Sequence, residues 1–122
     1  MNSSYFFSST DDRLSSMLDY IQQHFTEDLT TAQLAERFSY SEAHLCRTFK
    51  KNFGLPITDY IHTCRIEYAQ HLIKENKMEL TEIATKCGYN SYSYFSRKFC
   101  QMSVITPTEW RSRFVLTNYP HK

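Results

Sequence analysis

The chain has 122 residues, 41% of them hydrophobic, with only two Gly and three Pro and a formal net charge of +1. That length allows one modest core or two small ones sharing an element, and no apolar run approaches the ~20 residues needed to cross a bilayer. The opening MNSSYFFSSTDD lacks the basic segment and long apolar run of a signal peptide, so the expected compartment is the cytoplasm, with no membrane partner.

Residues 1–12 are Ser-rich, carry the aromatic cluster Tyr5-Phe6-Phe7, and read as a loose arm. Leu14, Met17, Leu18, Ile21 and Phe25 then follow the i, i+3, i+4, i+7 spacing of an amphipathic helix over 12–25. Thr30 with Gln33 matches a capping box, and Leu34, Ala35 and Phe38 form the stripe of a short second helix. A turn at 39–41 follows, and Ser41 can cap a third helix in which Leu45, Phe49 and Phe53 face inward. At 100° per residue, Glu42, Ala43, Cys46, Arg47 and Lys50 fall on or near its outer side.

Gly54-Leu55-Pro56 closes that helix and opens the next, Gly suiting a C-cap and Pro a first helical turn. No breaker interrupts residues 57–75, where Ile57, Tyr60, Ile61, Cys64, Tyr68 and Leu72 make one expected stripe. Nineteen residues at 1.5 Å each give a rod of ~28 Å. Beyond Asn76-Lys77 come a short helix with Ile83 and Ala84, a turn at Gly88, and a helix with Tyr92, Tyr94, Arg97 and Lys98 beside inward Phe95 and Phe99. Two helices joined by a short turn are the helix-turn-helix pattern, whose second helix can enter a DNA major groove. Thr106 can cap a last helix with Trp110, Arg111 and Phe114, before the tail LTNYPHK.

The pattern occurs twice. Leu34-Ala35 and Tyr40 recur 49 residues later as Ile83-Ala84 and Tyr89; Leu45, Arg47 and Phe49 recur 50 residues later as Phe95, Arg97 and Phe99. The second turn is therefore one residue longer. Unrelated amphipathic pairs can share anchor spacing, but an arginine two residues after the first anchor of each outer helix is harder to ascribe to packing. The expected organisation is an arm (1–12), a first helix-turn-helix subdomain (13–55), a connecting helix (56–76), a second subdomain (77–115) and a tail (116–122).

Charge is unevenly spread. Residues 1–40 set Asp11, Asp12, Asp19, Glu27, Asp28 and Glu36 against Arg13 and Arg37, whereas from residue 76 seven Lys and Arg face only Glu79, Glu82 and Glu109. The basic residues gather in and behind the two outer helices, as phosphate attraction requires. Ordinary solvated faces would also look like this.

Cys46, Cys64, Cys87 and Cys100 form no CxxC pair, and three fall at apolar helix positions, so free packed thiols are expected and redox sensing is the minor reading. There is no GxSxG, P-loop or HExxH, which speaks against an enzyme. His44-x-Cys46 and His62-x-Cys64 suggest zinc on paper, but side chains two apart on a helix diverge by ~200°, so no metal and no cofactor is expected.

The run from Glu82 to Arg111, with EIA, GY, SYFSRKF, TP and WR in register, resembles the carboxy-terminal signature of AraC/XylS-type bacterial transcription regulators. TAQLAERFSYSEAHLCRTFKKNFGLPITDYI and RIEYAQHLI look like that family's first helix-turn-helix and connecting helix, so the likeness covers about residues 14–113. It implies an all-α fold of about seven helices, forming two helix-turn-helix subdomains on a long central helix. It also implies double-stranded DNA as partner, with RNA polymerase as a further candidate, and a rod close to the ~34 Å between successive major-groove faces suits binding by a monomer.

By position, the family's groove-facing residues fall on Glu42, Ala43, Cys46 and Arg47 in helix 41–53 and on Tyr92, Ser93, Ser96 and Arg97 in helix 91–102, with Tyr94 and Lys98 beside them. Arg47 and Arg97 can each bond guanine O6 and N7 together or clamp a phosphate. Lys50 and Lys51 fit phosphate contacts. Several positions depart from the family pattern: Ser39 stands where the second turn has Gly88, Cys100-Gln101 replaces a basic pair, and Val104 replaces a glycine. The competing reading is a protein-interaction or redox-sensing module on the same fold. Since little chain precedes the first helix, a stand-alone regulator is expected over the output end of a longer one.

Overall fold

The computed structural model describes residues 12–116, so residues 1–11 of the expected arm, with the aromatic cluster, and the tail beyond Leu116 lie outside the described residues. Among the described residues there are seven helices and no strand: α1 Asp12–His24, α2 Thr31–Arg37, α3 Glu42–Phe53, α4 Ile57–Glu75, α5 Leu80–Lys86, α6 Tyr92–Ser103 and α7 Pro107–Arg111, the last running into a π turn, Ser112–Leu116. The all-α expectation stands.

The helix ends are set by side chains that satisfy orphan amides. Thr30 Oγ1 accepts from the Gln33 N–H at 3.1 Å while Gln33 Oε1 accepts from the Thr30 N–H at 3.0 Å, the reciprocal capping box read from the sequence. Thr106 and Glu109 repeat it before α7 (3.1 and 3.0 Å), with Pro107 in the first turn. The Thr106 amide and hydroxyl, donating to the Glu109 carboxylate, hold its pKa below the usual value. Ser41 and Ser91 cap α3 and α6 by accepting from the amides of His44 and Tyr94, each at 3.2 Å. Pro56 differs from the expected first-turn place: it precedes Ile57, and its carbonyl accepts the Tyr60 N–H at 3.1 Å, so it sits at the cap.

The chain divides between Ile61 and His62, inside α4, into two compact units. In the first, Leu14, Met17 and Ile21 of α1 lie with Leu34, Ala35, Leu45, Phe49, Ile57 and Ile61 among the buried residues. In the second, one core joins Ile66, Ala69, Leu72 and Ile73 of α4 to Ile83, Ala84, Phe95, Phe99 and Trp110.

The single stripe expected along α4 is corrected here. Ile57, Ile61 and Leu72 are buried, but Tyr60, Cys64 and Tyr68 are only half-buried, while Ile66, Ala69 and Ile73 are at most 2% exposed. One helix contributes to two cores, so no single periodic stripe describes it. The later set also extends the internal repeat, for Leu14, Met17 and Ile21 of α1 match Ile66, Ala69 and Ile73 at a constant 52 residues (14 to 66, 17 to 69, 21 to 73). Each unit thus reuses one frame: a scaffold helix, a short helix, a turn and an outer helix.

Candidate nucleic-acid interface

In both units the outer helix is seated by two aromatic or aliphatic anchors one turn apart. Leu45 and Phe49 of α3, and Phe95 and Phe99 of α6, are all 0% exposed. Burying such a side chain is worth ~1.5–3 kcal/mol, enough to fix which face of each helix points away from the core.

The turns before these helices are built alike despite different residues. Tyr40 N–H bonds to Ala35 O at 2.8 Å and Tyr89 N–H to Ala84 O at 3.0 Å. Ser39 adopts φ +66°, the left-handed geometry that Gly88 takes at φ +105°, so the serine does not alter the turn. A substituted residue there is costly, and Arg13 compensates: its Nη1 donates to Ser39 O at 2.6 Å and to Phe38 O at 3.2 Å, and its guanidinium lies 4.0 Å from the Tyr40 ring centroid. The second unit sets Arg65 over Tyr89 at 5.3 Å. Arg65 is 52 positions after Arg13, the same register as the scaffold anchors. Sequence reading missed both arginines, and that register is the signal by which they could have been found.

The outer face of α3 presents Glu42, Ala43, Cys46, Arg47, Lys50 and Lys51, all exposed. Among the described residues Arg47, Lys50 and Lys51 form no ion pair, which leaves their charge available. Lys50 and Lys51 fill the last turn and Glu42 the first.

On α6, Ser93, Tyr94 and Arg97 are exposed, whereas Tyr92, Ser96 and Lys98 are half-buried. Tyr92 packs against the core with its ring 5.6 Å from that of Phe95, so part of it is structural. The Tyr94 ring lies 5.6 Å from the Arg97 guanidinium and 5.9 Å from the Lys98 ammonium, which gathers two cations around one phenol. Its hydroxyl lies 3.3 Å from His62 Nε2, and His62 Nδ1 lies 2.6 Å from the hydroxyl of Tyr89. His62 is the second feature the sequence reading did not place at this face.

Among the described residues no group of three His, Cys, Asp or Glu could hold a metal, and no helix is long and apolar enough to cross a membrane. None of the four cysteines is in a disulfide; Cys87 is buried, which pushes its thiol up to about 12, Cys64 and Cys100 are half-buried, and Cys46 is exposed on α3.

Residues 34–113 match the family model described as a helix-turn-helix domain. An uncharacterized HTH-type transcriptional regulator of Staphylococcus aureus is 34% identical over 101 residues, which is 83% of this chain but 14% of that protein. The chain therefore spans about a seventh of such relatives. The C-terminal domain of AraT, a response regulator from Geobacillus stearothermophilus, superposes with a TM-score of 0.85 at 27% identity, covering 93% of this chain and 94% of that one. The DNA-binding domain of the global transcriptional factor AdpA, solved in complex with a target DNA, has the same fold, with a TM-score of 0.83 at 22% identity over 88% of this chain and 97% of that one.

Proposed function

From the premise that this chain belongs to the AraC-type helix-turn-helix family, we propose that it is a sequence-specific double-stranded DNA-binding transcription regulator that reads two adjacent major-groove segments with α3 and α6. The observation that carries this is the duplicated frame with a duplicated arginine: Arg47 and Arg97, 50 positions apart, stand exposed on outer helices that are anchored and capped in the same way. The solved complex of AdpA supports the class of ligand. The 19 residues of α4, ~28 Å at 1.5 Å each, suit one duplex read by one monomer.

In this reading the roles divide by chemistry. Arg47 and Arg97 offer bidentate donors to guanine or a phosphate. Lys50 and Lys51 bond phosphates, as point charges without base preference. Ser93 and Ser96 offer hydroxyls, Ala43 and Cys46 apolar contact with thymine methyls, and Glu42 can accept from a cytosine amino group. Tyr92, Tyr94 and Lys98 complete the second face.

The test is a duplex-binding titration across salt concentrations. Specific binding whose logarithm falls steeply with that of salt supports the proposal. A protein that leaves every duplex unshifted at low salt would overturn it in favour of an interaction module.

A further inference from the structure

The second unit contains a chain of hydrogen bonds, Arg65, Tyr89, His62 and Tyr94, of which the binding role above uses only Tyr94. We propose that His62 is a positioning residue that orients the Tyr94 hydroxyl as an outward hydrogen-bond donor to a DNA phosphate. The proposal rests on the DNA-binding reading.

The polarity of the chain follows from its buried end. Tyr89 is 3% exposed, and a buried hydroxyl needs an acceptor for its proton. The Arg65 side chain hydrogen-bonds this phenol, and a guanidinium can only donate. The Tyr89 proton is left for His62 Nδ1, 2.6 Å away. Burial also raises the Tyr89 pKa, which keeps that proton in place. With Nδ1 accepting, a neutral imidazole carries its proton on Nε2, the tautomer its partners dictate. Nε2 faces the Tyr94 hydroxyl at 3.3 Å and donates to its oxygen. The Tyr94 proton then has no use toward His62 and is directed to an outside acceptor.

The surroundings choose the acceptor. The Tyr94 ring is 38% exposed at the first turn of α6, with Arg97 and Lys98 on its flank at 5.6 and 5.9 Å. Two cations and one O–H donor suit an anionic oxygen better than a base edge. Ring packing holds the phenol at this place: Tyr94 sits edge-on to His62 and to Tyr89, each at 5.8 Å, while His62 stacks on Tyr89 at 5.6 Å. A hydroxyl held in advance loses less entropy on binding than a free one.

The test uses the full chain and a duplex selected by the wild-type protein, with affinity measured at one salt concentration and a neutral methylphosphonate placed at each phosphate in turn. Tyr94→Phe and His62→Ala should each weaken binding about fivefold, the effect of one hydrogen bond. The double variant should lose no more than either single one, since both act through one contact. His62→Gln, whose amide N–H can replace Nε2–H, should restore most of the loss. At one phosphate the methylphosphonate should cost the wild type about fivefold more than it costs Tyr94→Phe, which keeps the two cations but lacks the hydroxyl. Circular dichroism and melting show whether His62→Ala is folded; Tyr94→Phe, which deletes one exposed hydroxyl, carries the test if it is not. Tyr94→Phe binding as tightly as the wild type, a double variant losing the product of the single losses, or equal methylphosphonate profiles in the two proteins would overturn the relay. A wild type that binds no duplex sinks the DNA-binding reading and the relay together; a wild type that binds while its variants match it sinks the relay alone.

Discussion

The two units carry the same frame with opposite compromises. Each has one left-handed backbone position in the turn before the outer helix and one where that helix ends, and the second unit has a further one at Asn76 (φ +56°), after α4. The first unit puts Ser39 (φ +66°) in the turn and Gly54 (φ +84°) at the end; the second puts Gly88 (φ +105°) in the turn and Val104 (φ +78°) at the end. Each thus spends its one glycine on a different position and tolerates a substituted residue at the other. Ser39 is braced by two hydrogen bonds from Arg13, one to its own carbonyl and one to that of Phe38. Val104 is 82% exposed, and the Cys100 thiol lies 3.6 Å from its carbonyl. The frame is held by buried anchors and caps, so its outer surfaces and its strained points are free to differ.

The outer faces differ in the same way. The first is rich in exposed charge, with Lys50 and Lys51 in the last turn; α6 has no basic residue in its last turn and instead gathers Arg97 and Lys98 around Tyr94. On this account the second unit supplies more base discrimination, through Arg97, Ser93 and Ser96 rather than through Tyr94, and the first more electrostatic hold.

That division can be broken most sharply at the arginines. Arg97→Ala should cost ~1–3 kcal/mol of specific binding and relax preference at one or two base pairs, read from affinity and from a re-selected motif; an unchanged motif would remove Arg97 from the reading set. The strain contrast comes next. Val104→Gly should stabilise the protein by about 1–2 kcal/mol in denaturant unfolding, whereas Gly54→Ala should destabilise by about 1 kcal/mol, since nothing lies within 4 Å of a Cβ added there and only the backbone objects. If the two substitutions shifted stability in the same direction, the paired-compromise account would fail. Lys50→Ala should act more gently, weakening binding about evenly across sequences and lowering the salt slope by ~1; a changed sequence preference would contradict a phosphate role. The smallest effect is kinetic. Cys46, exposed on α3, should alkylate first and Cys87, with its raised pKa, last. Bound duplex should slow the Cys46 reaction alone if α3 lies in a groove.

Much of this frame was legible in the sequence because it is written in local chemistry. The capping residues Thr30, Ser41, Ser91 and Thr106, the glycine at Gly54 and the anchors one turn apart have short-range causes. The extra residue of the second turn, Asn90, was visible as a change of offset from 49 to 50, and it falls between the aligned Tyr89 and the Ser91 cap. What escaped depends on long-range packing. Ile66, Ala69 and Ile73 were passed over because α4 contributes to two cores, and a single stripe hides the switch. Arg13 and Arg65 look like surface charges until the turn and the tyrosine they cover are in place. Of the expected reading residues, Tyr92 is partly claimed by the core, which periodicity alone could not show.

Selection of bound duplexes from a random pool by the purified chain addresses both outer helices at once. The account predicts a bipartite motif, two information-rich blocks with centres about one helical turn, ~10 base pairs, apart, in which Arg97→Ala erases positions from one block only. A single compact block, or no enrichment over the starting pool, would contradict it.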